Sequence, residues 1–206
     1  MRPAISLIQT GLRDAGYDPG PVDGLYGPRT AQAFQALNAA GGAPARSVLA
    51  SMTTSQMFQG SARHPIREIT VHCSATPRDW MGNQTLSAQR EEIRAWHLAR
   101  GWRDIGYHWL IGRDGKVLPG QPETEIGAGV EGRNSGVIHI CLIGGHGSAE
   151  TDRFDRHFTP AQDVTLRQLI EGIGMRTRIA RISGHNEFAA KACPGFTVSR
   201  WLSEAK

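Results

Sequence analysis

The stretch GHNEFAAKACPG, residues 184 to 195, places three side chains with useful chemistry close together in the chain. They are the imidazole of His185, the ammonium of Lys191 and the thiol of Cys193. The thiol could be a nucleophile with His185 as its base, half of a disulfide, a packed core group or a metal ligand. His185 and Cys193 are eight positions apart, which is none of the usual zinc-finger spacings. Spacing alone therefore leaves all four alternatives open.

The amino-acid composition limits the classes of protein to which this chain could belong. The 206 residues include three cysteines, an odd and sparse set that argues against a disulfide scaffold. Cys73 and Cys141 lie in apolar, strand-like runs, where buried free thiols are expected. The net charge of +4 suits a polyanionic partner, but no block of basic residues predicts a nucleic-acid arm. No run is long and apolar enough for a secretory signal or a membrane span, so we expect no stable membrane association.

Residues 65 to 206 alternate between strand and helix patterns, which predicts an α/β domain with a mixed central sheet flanked by helices. Apolar and polar residues alternate over 69–74, so His72 should lie on the polar face of a strand. The remaining elements are predicted from capping, turn and hydrophobicity signals. They are a helix over 85–100 ending at Gly101, a hairpin turning at Asp114–Gly115, a central strand over 136–145, a helix from Thr159 to about Ile173, and a last strand ending at His185.

These elements could bring His72, His185 and Cys193 together at the strand ends. Two imidazoles and a thiolate form a possible zinc set, and a three-ligand site leaves a position for water. Zinc can lower the pKa of that water and polarise a carbonyl, the two requirements of amide hydrolysis. Lys191 could stabilise an oxyanion, and Tyr107 could hydrogen-bond the attacking water or the tetrahedral intermediate.

The first sixty residues are predicted to be a separate small three-helix domain, with residues 60–65 as the linker. Helical patterns flank the turn-rich segment YDPGPVDGLYGPRT, and a weaker third helix is predicted over about 48–58. The stretch from Ile8 to Leu37 resembles the peptidoglycan-binding domain attached to many cell-wall hydrolases. That resemblance implies glycan binding around Asp23 and Gly24, although both residues could instead only shape the turn.

The rest of the chain has a second resemblance. The segments VHCSATP, AWHLARGWRDIGYHWLIGRDGKV, NSGVIHICLIGG, FTPAQ and GHNEFAAKACPGF resemble the successive motifs of the type 2 N-acetylmuramoyl-L-alanine amidases and peptidoglycan-recognition proteins. The resemblance implies zinc held by His72, His185 and Cys193, with Tyr107 and Lys191 as the catalytic pair. It implies cleavage of the amide between N-acetylmuramic acid and L-alanine. Non-catalytic peptidoglycan recognition and a cysteine hydrolase are the alternatives.

The resemblance also implies a modular phage endolysin. We expect a monomer held in the host cytoplasm before lysis, then acting at the periplasm and cell wall, with peptidoglycan as its partner. Two positions depart from the family pattern. Gly129 stands where many relatives have histidine, so we expect no binding role for that loop. His139 replaces a common glycine in the central strand. His108 is expected to orient the site by hydrogen bonding, and Arg176, Arg178 and Arg181 are expected to be solvated.

Overall fold

The structure, a computed structural model, describes residues 3–14, 16–25, 27–39 and 56–204. Within these residues the strands form a five-stranded and a two-stranded sheet. The strands are β1 (Phe58–Gln59), β2 (His64–Pro65), β3 (Glu68–Cys73), β4 (Trp109–Ile111), β5 (Val117–Pro119), β6 (Val137–Leu142) and β7 (Arg181–Gly184). The α-helices are α1 (Pro3–Asp14), α2 (Pro28–Ala39), α3 (Leu86–Ala99), α4 (Phe154–His157), α5 (Pro160–Arg176) and α6 (Val198–Ser203).

The larger sheet has the strand order β5-β4-β6-β3-β7. Only β4 and β5 pair antiparallel, as the hairpin at Asp114–Gly115 predicts, and the other pairs are parallel. All six residues of β6 are buried, because the strand lies at the centre with both faces covered. The expected α/β class with a mixed central sheet is confirmed.

Apolar side chains cover the two faces of the sheet unequally. One face carries Ile69 and Val71 of β3, which belong to a large apolar cluster that includes Leu166 and Ile170 of α5. On the other face, a smaller cluster packs around Ile93 of α3. Because that cluster is small, part of this second face is left to polar residues, and the candidate site lies there.

Local signals in the sequence account for the ends of the long helices. The Thr85 side chain accepts a hydrogen bond from the Ala88 amide at the start of α3. Gly101 follows the helix with a φ of 82°, a conformation that glycine adopts without steric cost. Thr159 and Gln162 form the expected capping box, and α5 continues to Arg176, one turn beyond the predicted end.

The N-terminal residues that the structure describes form α1, α2 and the turn between them. Ile5 and Leu12 of α1 and Ala33 of α2 are buried. Ile5 belongs to the same apolar cluster as Leu169 of α5, so α1 packs against the helix that covers the sheet. Among the described residues, no helix is both long enough and apolar enough to cross a membrane.

The segment around residue 60 differs from its prediction. The predicted linker, 60–65, contains the turn and second strand of an antiparallel hairpin in which Phe58 pairs with Pro65. Gln59 ties this hairpin to the large sheet, since its buried amide donates to the Val137 carbonyl at 3.0 Å and accepts from the Gly136 amide at 2.9 Å. Most of the predicted third helix falls in 40–55, outside the described residues, and Phe58 begins a strand instead of ending that helix.

The expectation that Arg176 is solvated is wrong. Its side chain is only 18% exposed and donates to both carboxylate oxygens of Glu123, at 2.5 and 2.8 Å. The pairing occurs because the end of α5 lies beside the loop after β5. Arg178 is exposed as expected, and Arg181 lies over the Phe188 ring and pairs with Glu187.

Candidate metal centre and active site

His72 lies on β3, facing away from the large apolar cluster. The side chains of a strand alternate between its faces, so the burial of Ile69 and Val71 on one side directs Thr70 and His72 to the other. The His72 side chain is buried, and its ring centroid lies 4.9 Å from that of His185. The predicted polar face of this strand therefore carries the first candidate ligand.

The other two candidate ligands lie on the loop that follows β7. His185 comes directly after the strand, and the loop returns so that the Asn186 amide donates to the Cys193 carbonyl at 2.7 Å. This hydrogen bond brings the two ends of the loop together, so His185 and Cys193 lie close in space although they are eight positions apart in the chain. Sγ of Cys193 lies 3.8 Å from Nδ1 of His72, and one donor atom from each of the three residues lies within 4.8 Å of the others. The fold thus brings together the three residues that the sequence singles out.

The protonation of these groups follows from their burial. Burial lowers the pKa of His72 well below its usual value, and neighbouring histidines lower it further. Burial also lowers the pKa of His185, with the charge of Lys191 as a second cause. The hydrogen bond with Cys73, together with burial, raises the pKa of the Cys193 thiol well above its usual value. Both imidazoles are therefore neutral at neutral pH, whereas the thiol must release a proton to bind a metal.

This set of donor atoms fits a catalytic transition-metal ion. Imidazole nitrogen and thiolate sulfur are soft or borderline ligands, and the group includes no carboxylate, which magnesium and calcium require. Three protein ligands also leave a coordination position for water or substrate, as catalytic sites do. The arrangement can therefore hold a metal ion against a substrate carbonyl.

Tyr107 and Lys191 lie beside the ligand group on two different segments. The Tyr107 ring precedes β4, and its centroid is 5.2 Å from that of His72. Burial raises the pKa of Tyr107 well above its usual value, so the phenol stays protonated and acts as a hydrogen-bond donor. Lys191 is exposed on the loop after β7, where its charge influences His185. Tyr107 therefore approaches the ligands from within the protein and Lys191 from the solvent side.

Asp23 and Gly24 lie in the turn between α1 and α2. The Gln9 side chain, buried in α1, donates to Oδ1 of Asp23 at 3.0 Å and accepts from the Gly24 amide at 2.9 Å. Gly24 has a φ of 72°, which favours glycine. These contacts show that both residues shape the turn. Gln9, which no sequence pattern singles out, holds that turn to α1.

The contact of His139 with His72 is the main feature of the site that the sequence does not predict. Nδ1 of this buried side chain lies 3.0 Å from Nε2 of His72, on the side of the ring opposite the nitrogen that faces Cys193. The ring lies directly over the glycine loop, because a Cβ on Gly129 would overlap Nδ1 of His139. The two departures from the family pattern are therefore linked in space, since the His139 ring requires a glycine at position 129.

His108 is outside the ligand group and hydrogen-bonds to its surroundings, in keeping with its expected role. Its Nδ1 accepts from the His139 amide at 2.9 Å, which leaves the proton of the neutral ring on Nε2. That nitrogen donates to the Glu125 carbonyl at 3.0 Å. His108 therefore joins the loop after β5 to the central strand next to the candidate ligands.

Similarity to known proteins agrees with this geometry. Residues 62–196 match the N-acetylmuramoyl-L-alanine amidase family, and residues 1–44 match the family described as a putative peptidoglycan binding domain. The endolysin of Escherichia phage T7 is 40% identical over 69% of this chain and 89% of that protein. A peptidoglycan-recognition protein of Drosophila melanogaster is 33% identical over 69% of this chain and 74% of that protein. Among solved structures, bumblebee PGRP-SA superposes with a TM-score of 0.56 at 25% identity, covering 73% of this chain and 86% of that one.

The fold is that of a peptidoglycan amidase. The chain belongs to the N-acetylmuramoyl-L-alanine amidase family.

Proposed function

We propose that this chain is a zinc-dependent peptidoglycan hydrolase in which His72, His185 and Cys193 hold the ion. The observation that carries the proposal is the convergence of their three donor atoms within 4.8 Å, one from β3 and two from the loop that follows β7. Imidazole nitrogen and thiolate sulfur are both common zinc ligands. The bond cleaved is the amide that joins N-acetylmuramic acid to L-alanine, the activity for which the family is named.

The side chains around the ligands have complementary roles in amide hydrolysis. A zinc ion held by these three residues would supply Lewis acidity, which would polarise the scissile carbonyl and make water more acidic. The protonated phenol of Tyr107 donates a hydrogen bond to the reacting oxygen and transfers protons during attack and breakdown. The ammonium of Lys191 stabilises the negative charge that develops on the carbonyl oxygen. Tyr107 is partly buried and Lys191 is exposed, so Tyr107 is the member of the pair that would act further from bulk water.

We also propose a division of labour along the chain. Residues 1–60 would form a peptidoglycan-binding domain in which Asp23 and Gly24 contact the glycan, and residues 65–206 the catalytic domain. The family matches at 1–44 and 62–196 support this division. Binding to the insoluble wall would raise the effective concentration of the catalytic domain at its substrate. The relatives named as phage endolysins support a role in lysis of the host cell, in which the protein is held in the cytoplasm and later reaches the wall. The monomeric state and the absence of a nucleic-acid partner stay predictions.

Digestion of purified peptidoglycan tests the reaction. New alanine amino termini and new reducing sugar ends are scored for the protein as purified, after chelation and after zinc is restored. Alanine termini that vanish with the chelator and return with zinc are the expected result. Binding without new termini under any condition would instead support a recognition protein. Activity that survives chelation but is lost on thiol alkylation would support a cysteine hydrolase.

A pair of cysteine variants tests the ligand assignment. Cys193→Ala should lose both zinc and activity, as should His72→Ala, because each removes one of three protein ligands. Cys141→Ala is the matched control, since Cys141 is a buried thiol on β6 outside the candidate ligand group. Zinc content at one equivalent in Cys193→Ala, with the control also at one equivalent, would contradict the assignment.

A further inference from the structure

We infer that His139 is a positioning residue that holds the imidazole of His72 in the orientation for metal binding. The inference rests on the proposed metal site and adds a residue to it. Nε2 of His72 and Nδ1 of His139 lie 3.0 Å apart, within hydrogen-bond distance, and both side chains are buried. Nδ1 of His72 faces Cys193 instead, so the two ring nitrogens have different partners.

The direction of this hydrogen bond follows from the chemistry of a metal-bound imidazole. A ring that binds a metal through Nδ1 keeps its proton on Nε2, and this proton needs an acceptor when the ring is buried. Nδ1 of His139 is the acceptor in reach. His139 therefore selects the tautomer of His72 whose Nδ1 lone pair is available to the metal.

The surroundings of His139 fix its ring in place. Its backbone exchanges two hydrogen bonds with His108, one from its amide to Nδ1 of His108 and one from the His108 amide to its carbonyl, each at 2.9 Å. The two rings are stacked, with centroids 5.7 Å apart. On its other side the ring lies against Gly127 and Gly129, and the Asn134 side chain accepts from the Gly129 amide at 2.9 Å. An acceptor ring packed on both sides, on a backbone that is itself hydrogen-bonded, can hold the orientation of its donor.

Packing alone does not explain a histidine at position 139. Nε2 of His139 is buried and has no hydrogen-bond partner within the described part of the chain. When Nδ1 accepts from His72, Nε2 carries the proton, so the site keeps an unsatisfied buried donor that costs stability. An apolar residue of similar size would avoid this cost. The imidazole therefore contributes to the site through Nδ1, the nitrogen that faces His72.

Two substitutions at position 139 test the hydrogen-bond acceptor separately from the space that the side chain fills. His139→Asn keeps an acceptor oxygen close to the place of Nδ1. His139→Leu introduces a side chain with the same branched shape as asparagine but with no acceptor. We expect His139→Leu to bind zinc about 10- to 100-fold more weakly, as loss of a hydrogen bond to a metal ligand does, and His139→Asn to stay close to the parent. Zinc affinity is measured by competition with a chromophoric chelator. Urea unfolding of the metal-free proteins reports folding separately, and there His139→Leu should be no less stable than His139→Asn.

A substitution in the loop tests the same contact without altering either histidine. In Gly129→Ala the added Cβ would displace the His139 ring, because the two would occupy the same space. Gly129→Ala should therefore weaken zinc binding like His139→Leu, and adding it to His139→Leu should weaken binding no further. Parent-like zinc affinity in His139→Leu would overturn the role of His139 and leave the metal site standing. If the parent binds zinc no better than Cys193→Ala, the proposed metal site itself is wrong.

Discussion

Replacing Arg176 by methionine should destabilise the fold strongly, since it leaves a carboxylate buried without its partner. The side chains of Arg176 and Glu123 are 18% and 11% exposed, and two hydrogen bonds of 2.5 and 2.8 Å join them. The Trp109 indole also donates to Glu123, at 2.7 Å. After the substitution, the indole is the only one of these three donors that remains. The carboxylate then keeps its negative charge in a site that excludes most water.

The size of the effect can be worked out from this geometry. Two unit charges about 2.8 Å apart attract by about 6 kcal/mol at an effective dielectric constant of about 20. Desolvation offsets part of this attraction, and breaking one side of a buried pair typically costs about 3–5 kcal/mol of unfolding free energy. With a slope of about 2 kcal/mol per molar urea, the unfolding midpoint of Arg176→Met should fall by roughly 2 M.

The effect should also depend on pH. Burial alone would raise the pKa of Glu123, but hydrogen bonding and the charge of Arg176 outweigh burial and hold it below its usual value. In the parent, this group therefore stabilises the fold above its unfolded-state pKa and loses that contribution as pH falls through the folded-state pKa. In Arg176→Met the two largest causes that lower the pKa of Glu123 are gone and the Trp109 hydrogen bond remains, so the pKa rises above that of the parent and acid protonates the stranded carboxylate. The difference in unfolding free energy should narrow as pH falls toward and below about 4.5.

Arg178→Met is the matched control, because it makes the same chemical change at an exposed position two residues further on. It should change the unfolding free energy by no more than about 0.5 kcal/mol. Adding Glu123→Gln to Arg176→Met removes the stranded charge and should restore part of the lost stability. If Arg176→Met cost no more than Arg178→Met at neutral pH, the reasoning about this ion pair would be refuted.

Three further predictions concern the site and the N-terminal turn. Lys191→Ala should retain zinc but lose most of its turnover of peptidoglycan, and unchanged turnover would remove Lys191 from the mechanism. Zinc binding at pH 6, followed by calorimetry in buffers of different ionisation enthalpy, should release the proton of the Cys193 thiol and fewer histidine protons than unperturbed imidazoles would, because the pKa values of His72 and His185 are lowered. Unperturbed histidine ligands would raise the total to about two and a half protons, since each would be roughly three-quarters protonated. Gln9→Ala should weaken sedimentation with insoluble peptidoglycan, because it removes contacts to Asp23 and Gly24, while hydrolysis of soluble fragments stays unchanged; equal sedimentation would count against a binding role for this turn.

Local patterns predict the elements of this fold better than the contacts between them. The alternation around His72, the capping box at Thr159 and the turn at Asp114 each depend on neighbours in the sequence, and the structure confirms all three. The hairpin formed by β1 and β2 escaped prediction, because strands of two residues are too short to show a period. It is held instead by Gln59, whose partners at the start of β6 lie far along the chain.

The candidate site was predictable to the extent that its residues have distinctive chemistry. Spacing left Cys193 with four possible roles, and the ordered motifs of the family made the metal ligand the favoured one. No such signal indicates that His139 meets His72, since the contact depends on how two parallel strands are aligned and on a glycine loop between other elements. The sequence does not predict the partner of Arg176 for a similar reason, because Glu123 is 53 residues away in the chain.

The placement of β3 has a consequence for the order of events during synthesis. Its sheet neighbours, β6 and β7, both come later in the chain, and His72 and Cys193 are separated by 121 residues. At about 5–20 residues per second, a ribosome needs roughly 6 to 24 s to pass from one to the other. For much of this interval the nascent chain has two unpaired strand edges and only one of the three candidate ligands. A chain still being translated therefore lacks the complete proposed metal centre, and its strand edges are open to misassociation until its last strand pairs.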